Sequence, residues 1–457
     1  MSNKKNAASF GSRFGYIMVA AGAAIGLGNI WKFPYLAYGG GGGAFVIVYI
    51  ILCLILGHPV VEMETVIGRH AKTNAIDAYG VVNPKWKFVG VVNVLCTVMI
   101  DVYYIIVSGY VLKYAIDFLL GSSFSPDSAT YYNNFISDPV EPLVYAGILM
   151  AIIVILLSFG ITELVEKVTK IIMPLLFVLL VVCGIWALFI SEGALEGLKF
   201  YLIPDWKNFT WKAFADACMQ VMFSVGIGWA IFTTLGASVS DDSNVRKDSM
   251  WVTICDTCVA LTAGFVIIPS VVGSGSQMTA GPSLVFLAMT DIFGKFPGGR
   301  FIGFFFFTAL IFAVLSTFFT ILEIPVKCVE EKLKISHRKA TVFTAIVIFI
   351  GGIFCSLSQG TGLLSHVKLP WWSFGVGIHY YNIYDWFDVC SGYVLLPLGC
   401  LLTTIYCCRV WGYKNYEAAL TQNGRDGKLS KYDRFVMTFA VPVLTLIVIL
   451  NCFGFIK

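Results

Sequence analysis

Charge is what this sequence has least of. Asp, Glu, Lys and Arg make up 13% of its 457 residues, against roughly 25% in a soluble chain, which excludes a water-facing globular protein. Nucleic acid is not an expected partner. The five histidines, at 58, 70, 337, 366 and 379, form no ligand-spaced cluster, and no nucleophile motif accompanies them, so an enzyme is not expected. Thirteen cysteines are scattered through apolar stretches without a framework, and no structural disulfide is expected. Cys255 and Cys258 make one C-x-x-C, but it falls inside an apolar stretch with no second pair. Helix packing is the plainer reading there than zinc or redox chemistry. Gly26-Leu27-Gly28 looks like half a nucleotide-binding turn, yet no strand precedes it. A channel would show a repeated pore motif or rings of charge, and neither is present.

Apolar sequence fills the space that charge leaves. Hydrophobic residues are 58% of the chain, its mean hydropathy is +0.81, and stretches of about 20 apolar residues recur as bilayer-spanning helices require. Eleven spans are predicted, near 13–37, 43–69, 88–120, 142–160, 166–190, 211–237, 249–275, 301–331, 337–357, 385–409 and 433–456. Lys and Arg gather on one side of this arrangement, whereas the loop 121–141 holds Asp127, Asp138 and Glu141 and no basic residue. The amino terminus is therefore expected in the cytoplasm, and eleven spans put Lys457 outside the cell's inner (plasma) membrane. Lys4 and Lys5 before an apolar run mimic a signal peptide, but Arg13, Asn29 and Lys32 argue against cleavage. The reading divides the chain into a cytoplasmic segment 1–12, a ten-span core 13–411, a cytoplasmic linker 412–432 and a final span 433–457. Loops 191–210 and 276–300 carry short helical patterns and read as lids, the second broken by Pro282, Pro297, Gly298 and Gly299. Gly39–Gly43 reads as the turn between the first two spans.

Two spans cannot stay helical through their own middles. In the first, Gly22, Gly26 and Gly28 fall near the centre and Asn29 follows; each glycine weakens a helix by roughly 1 kcal/mol against alanine. In the sixth, Gln220 to Trp229 carries Gly226 and Gly228 at the weak point. Backbone freed inside hydrocarbon needs another partner, so broken helices persist where they line a cavity or bind something. Two Gly-interrupted spans in corresponding places of two halves point to a binding site at the bilayer midplane.

The string GAAIGLGNIWKFPYLAYGGGGGAF at 22–45 closely resembles the signature of the neurotransmitter:sodium symporters, the LeuT-type transporters. Tyr103-Tyr104 in span 3, FSVGIG in span 6 and LSTFF in span 8 fit the same family, each in the expected span. The resemblance implies an all-α polytopic membrane protein with the LeuT fold. Two inverted five-span repeats, about 13–190 and 211–411, would exchange outward and inward access. It also implies symport of a small amine or amino acid with sodium. Most members have twelve spans and this chain has eleven; the ten-span core is unaffected.

By resemblance, one sodium ion would be held by the Ala24 carbonyl, Asn29, Ser224 and Asp256 with the substrate carboxylate. A second would use carbonyls of Gly22, Ile25 and Ala313 and the hydroxyls of Ser316 and Thr317. The chloride positions of the animal members match Tyr49, Gln220, Ser224, Asp256 and Ala260. Where many members carry Asn, this chain has Asp256, whose fixed charge would do the work of the anion, so no chloride requirement is expected. Amine-transporting members place an acid at the position of Gly26; glycine there implies a substrate that brings its own carboxylate, to which Tyr104 would hydrogen-bond. Ile100, Phe223, Gly226, Trp229 and Ile321 would form the side-chain wall, and Ala24, Ser224 and Thr317 complete the substrate contacts. A small neutral amino acid is the reading this favours. Asp101 departs from the family pattern; it is either a structural acid or a receiver for a distal donor or cationic group on the substrate. Lys32 and Asp388 match the outer gate, with Lys in place of the usual Arg and without its bidentate fork. Glu331 matches the inner-gate acid, but its basic partner position is Ala7, and Phe10 stands where Trp is usual; Lys4 or Lys5 would have to substitute. A non-transporting receptor on the same scaffold is the alternative from another class. The lipid bilayer is the expected surrounding, and oligomeric state is left open.

Overall fold

A computed structural model describes residues 9–122, 127–189, 193–278 and 281–456. Lys4, Lys5, Ala7 and Lys457 lie outside these. Among the described residues, eight helices are each long and apolar enough to cross a bilayer, and two bent pairs, each taken as one span, raise the number to ten. The bent pairs are Arg13–Ala24 with Gly28–Gly39, at 57°, and Ser128–Ser137 with Glu141–Leu157, at 75°. Trp211–Gly236, the predicted span 6, falls outside that number because it is cut into helices of 15 and six residues. Counting it, the eleven predicted stretches all contain helix.

The remaining spans follow in order. Span 2 is Gly43–Ala71, span 3 Pro84–Leu120 and span 4 Glu141–Leu157. Span 5 is Glu166–Leu188, span 7 Val245–Gly273, span 8 Gly299–Leu333 and span 9 His337–Leu357. Span 10 is Ile383–Val410 and span 11 Lys431–Cys452. The glycine turn into span 2 is tight because Gly41 and Gly42 have φ of +84° and +56°, and a Cβ on Gly42 would lie 2.1 Å from the Phe200 carbonyl. Both predicted lids contain short helices, Ala194–Leu202 in one and Thr290–Lys295 in the other. Gly298, at φ +75°, ends the second before span 8. A further helix, Tyr413–Leu420, lies in the linker between spans 10 and 11.

Among the described residues, one hairpin is not helical. Residues Leu369–Ser373 (β1) and Gly377–Tyr381 (β2), between spans 9 and 10, form an antiparallel hairpin pairing Trp372 with Ile378. The alternation of Trp, Ile and Tyr over these residues is a strand pattern; the all-α expectation overlooked it because the run is too short to register as a span.

Spans 1, 3, 6 and 8 form the centre. The first half of span 1 packs on the second half of span 6, and its second half on the first half of span 6, so the two broken helices run antiparallel. Their break points thus meet at one depth. Span 11 is the opposite case: Phe435, Phe439, Val443, Leu446 and Leu450 stay exposed along one stripe, as lipid-facing residues do.

Candidate functional site

The first break follows directly from the glycines. Helix stops at Ala24, Ile25 is extended with φ −74° and ψ 91°, and a wide turn resumes at Gly28. The second is more strained. Gly226, Gly228 and Ala230 have φ of +81°, +88° and +66°. The two glycines accept this freely, whereas Ala230 bears a cost of about 1–2 kcal/mol. Gly228 is also fixed by space, since a Cβ there would lie 2.3 Å from the Leu396 carbonyl.

Two buried side chains hold the unwound stretch of span 6. Glu64 in span 2 accepts the Gly228 N–H at 2.7 Å, and the Thr97 hydroxyl donates to the Trp229 carbonyl. Sequence reasoning missed both. The available signal was Glu64 itself, an ionisable residue in mid-span, which is costly without a function.

The exposed oxygens gather in two places. In one, Asn29 Nδ2 donates to Ser224 Oγ at 2.9 Å and to Asp256 Oδ1 at 2.6 Å. Ser224 also donates to Asp256 Oδ2 at 2.9 Å, and the Tyr49 hydroxyl donates to Ser224 at 2.9 Å. Gln220 adds a bond to the Gly28 carbonyl at 3.2 Å. All five side chains are buried. In the other, the Thr317 hydroxyl lies 3.2 Å from the Gly22 carbonyl and 3.0 Å from that of Ile25. Ser316 Oγ is 3.0 Å from the Ala313 carbonyl, and Gly22 is close enough that a Cβ on it would touch Ser316 at 2.9 Å. Both sets are rich in oxygen and nearly dry, a donor chemistry that suits a hard monovalent cation.

Between them lies a nearly closed cavity of about 10 Å³, room for a single water, lined by Ala24, Gly26, Leu27, Gly28, Asn29, Ile100, Tyr104, Phe223, Trp229, Thr317 and Ile321. Of the expected substrate contacts, Ala24, Gly26, Ile100, Tyr104, Phe223, Trp229, Thr317 and Ile321 line it; Asp101, Ser224 and Gly226 do not. The reasons are geometric. Asp101 is turned about 100° around span 3 from Ile100, Ser224 spends its hydroxyl on the Asn29–Asp256 cluster, and Gly226 faces Ile231 and the Trp229 ring. Asp101 is fully buried with neither carboxylate oxygen hydrogen-bonded. The Tyr104 hydroxyl accepts the Leu27 N–H at 3.3 Å. Phe223 and Trp229 stack at 5.9 Å, and the buried Trp229 indole N–H has no partner.

The gate expectations need correction. Lys32 does not pair with Asp388. Its ammonium lies over the rings of Phe223 and Tyr393, 4.6 and 5.1 Å from their centroids. The ring quadrupoles attract the ammonium, which lacks the bidentate fork that would hold a guanidinium to a carboxylate. Glu331 accepts from Thr73 Oγ1 at 2.8 Å and Asn74 Nδ2 at 2.5 Å, so the loop after span 2 takes the place of a basic partner among the described residues. The amino-terminal end of span 1 is instead fastened by Arg13 to Asp248 at 2.6 Å and by the Gly11 N–H to Glu166 at 2.9 Å.

Residues 7–127 and 140–455 match the family model described as the sodium:neurotransmitter symporter family. The chain belongs to that family. An uncharacterized sodium-dependent transporter of Bacillus subtilis, YhdH, is 32% identical over 454 residues, 98% of each chain. One from Haemophilus influenzae is 30% identical, covering 98% of this chain and 99% of that one. Among solved structures, MhsT in complex with L-phenylalanine superposes with a TM-score of 0.87 at 31% identity, covering 98% of this chain and all of the other. This symporter is therefore a multi-pass membrane protein of the LeuT fold, a sodium-coupled transporter of a small molecule and not an enzyme.

Proposed function

We propose that this symporter imports a neutral amino acid with sodium by alternating access and needs no chloride. The observation that carries the reading is Asp256, a buried carboxylate held by Asn29 and Ser224 at the junction of the two broken spans. A fixed negative charge there offsets cations without a free anion. Asn29, Ser224 and Asp256 with the Ala24 carbonyl would form one sodium site. Gly22, Ile25, Ala313, Ser316 and Thr317 would form the other.

The amino-acid part rests on Gly26. A Cβ there would come within 3.3 Å of both Tyr104 Oη and Thr317 Oγ1, a tight fit that a longer acidic side chain would worsen. The substrate carboxylate would instead meet the Tyr104 hydroxyl where span 1 resumes, at the positive end of a half-helix. Its side chain would lie against Ile100, Phe223, Trp229 and Ile321. Asp101 lines no part of this cavity, which favours a neutral side chain over a distal cation. MhsT was solved with L-phenylalanine, so aromatic as well as small aliphatic amino acids belong in the screen. The distribution of Lys and Arg supports an amino terminus on the cytoplasmic side.

Proteoliposomes with an inward sodium gradient should accumulate the substrate above equilibrium, and equally well when gluconate replaces chloride. Equal accumulation in potassium or choline would end the sodium-coupled reading of this site; a strict chloride requirement would end the role given to Asp256.

A further inference from the structure

The β1–β2 hairpin has two faces of opposite character. Ser373 and the ring of Trp371 turn toward the protein, while Pro370, Trp372, Phe374, Ile378 and Tyr380 turn outward. Trp372 is 50% exposed, Tyr380 63%, and Val376 at the tip 74%. A hairpin covered on one side by protein normally offers polar residues on the other. Here every outward position is apolar or aromatic.

The hairpin is bolted to the end of span 11. Trp371 stacks on Phe453 at 5.9 Å and 4°, Phe374 stacks on Phe455 at 4.7 Å, and the Phe374 N–H donates to the Phe453 carbonyl at 2.7 Å. The Trp386 indole N–H ties span 10 to Pro370 at 3.3 Å. Because Gly454 meets Phe374 with φ +76°, the chain can turn back onto the hairpin there. Phe455, on which Phe374 stacks, is itself half exposed, and so is much of the stripe of Phe439, Val443, Leu446 and Leu450 in the same span and its end. Span 11 has 22 residues, about 33 Å at 1.5 Å per residue, against a hydrocarbon core of about 30 Å. Phe453 and the hairpin on it therefore stand at the membrane–water boundary, where Trp and Tyr collect. Lys368, exposed at the foot of β1, is placed to reach headgroup phosphates.

We propose that the hairpin is an interfacial anchor, its Trp372–Tyr380 face seated in the headgroup–acyl boundary of the leaflet into which span 11 emerges. The occupant is lipid. Its consequence is mechanical: it fixes span 11 and the start of span 10, which carries Asp388, to the membrane while other parts move.

The test uses the full chain in phosphatidylcholine liposomes, with and without lipid brominated near the headgroup end of the acyl chains. Eleven tryptophans emit, so the signal is the difference between wild type and Trp372→Phe. That difference should be blue-shifted and lose about half or more of its intensity to the brominated lipid, as expected for a ring at the headgroup boundary. Val376→Trp in the Trp372→Phe background should regain the quenchable signal, and sodium-dependent uptake by both variants shows that they fold. A red-shifted difference quenched by iodide and not by brominated lipid would overturn the proposal. So would a difference shielded from both quenchers until the protein is diluted to one copy per liposome, which would assign the face to a second copy of the chain.

Discussion

Asn29 Nδ2 and Asp256 Oδ1, 227 positions apart in sequence, lie 2.6 Å from each other across the broken centre of the protein. The amide's positive end stands where a cation would otherwise balance the carboxylate. Ser224 Oγ, 2.9 Å from Asn29 Nδ2 and 2.9 Å from Asp256 Oδ2, completes the cluster. A sodium ion entering it would require the Asn29 amide to present its oxygen instead, so ion binding would trade one charge-assisted bond for another.

Asp256→Asn removes the charge and keeps the shape. A hydrogen bond to a charged group contributes about 1.5–3 kcal/mol, so half-maximal sodium should rise roughly 10- to 100-fold, with uptake becoming chloride-sensitive. Uptake titrated against sodium in chloride and in gluconate measures both. An unchanged sodium curve in both anions would show that Asp256 holds no ion.

Thr317→Val tests the second oxygen set. The substitution is close to isosteric but leaves the Gly22 and Ile25 carbonyls without their hydroxyl partner, at 3.2 and 3.0 Å in the native protein. A buried polar group so orphaned costs about 1–3 kcal/mol. Wild type should melt higher in sodium than in choline, since a ligand at 100 times its Kd adds about 2.7 kcal/mol. Thr317→Val should lose most of that sodium-dependent shift. Retention of the whole shift would separate Thr317 from sodium.

How much of this was legible in the sequence depended on whether the signal was local. The break in span 1 was, because Gly22, Gly26 and Gly28 state it in the helix that carries them. The oxygen sets were legible only through the family motif; nothing in the spacing of Asn29 and Asp256 says that they touch. Ala230 at positive φ was not legible, because alanine ordinarily favours helix and only the packing around Gly228 forces the turn. The outer gate failed for a related reason. Lys32 has two aromatic rings within reach, and their approach is a property of the fold.

The amino-terminal end of span 1 should open when its fastenings are cut. Arg13 is half exposed, but Asp248 is buried, so the pair is stronger than a surface ion pair of about 0–1 kcal/mol. Asp248→Asn and Glu166→Gln should each speed hydrogen exchange across residues 10–24 and lower the apparent sodium affinity several-fold, as an inward-open population would. Exchange rates that match wild type would show that these contacts do not hold the inner side closed.

Asp101 gives the sharpest contrast between adjacent residues. Ile100 lines the cavity and Asp101 does not. Its two oxygens are buried and lack hydrogen-bond partners, an arrangement that contributes no contact to a bound amino acid. Asp101→Asn should therefore leave the ranking of amino acids as it is in wild type, whereas Ile100→Ala enlarges the cavity and should shift the ranking toward bulkier side chains. The size of that shift is bounded by what apolar pockets achieve, since one methylene discriminates by about 1–3 kcal/mol. A competition screen of the common amino acids against wild type and both variants reads the outcome. If Asp101→Asn alone reorders the ranking, or if it selectively loses amino acids with a distal donor, the carboxylate reaches the substrate in another state of the cycle and the neutral reading fails.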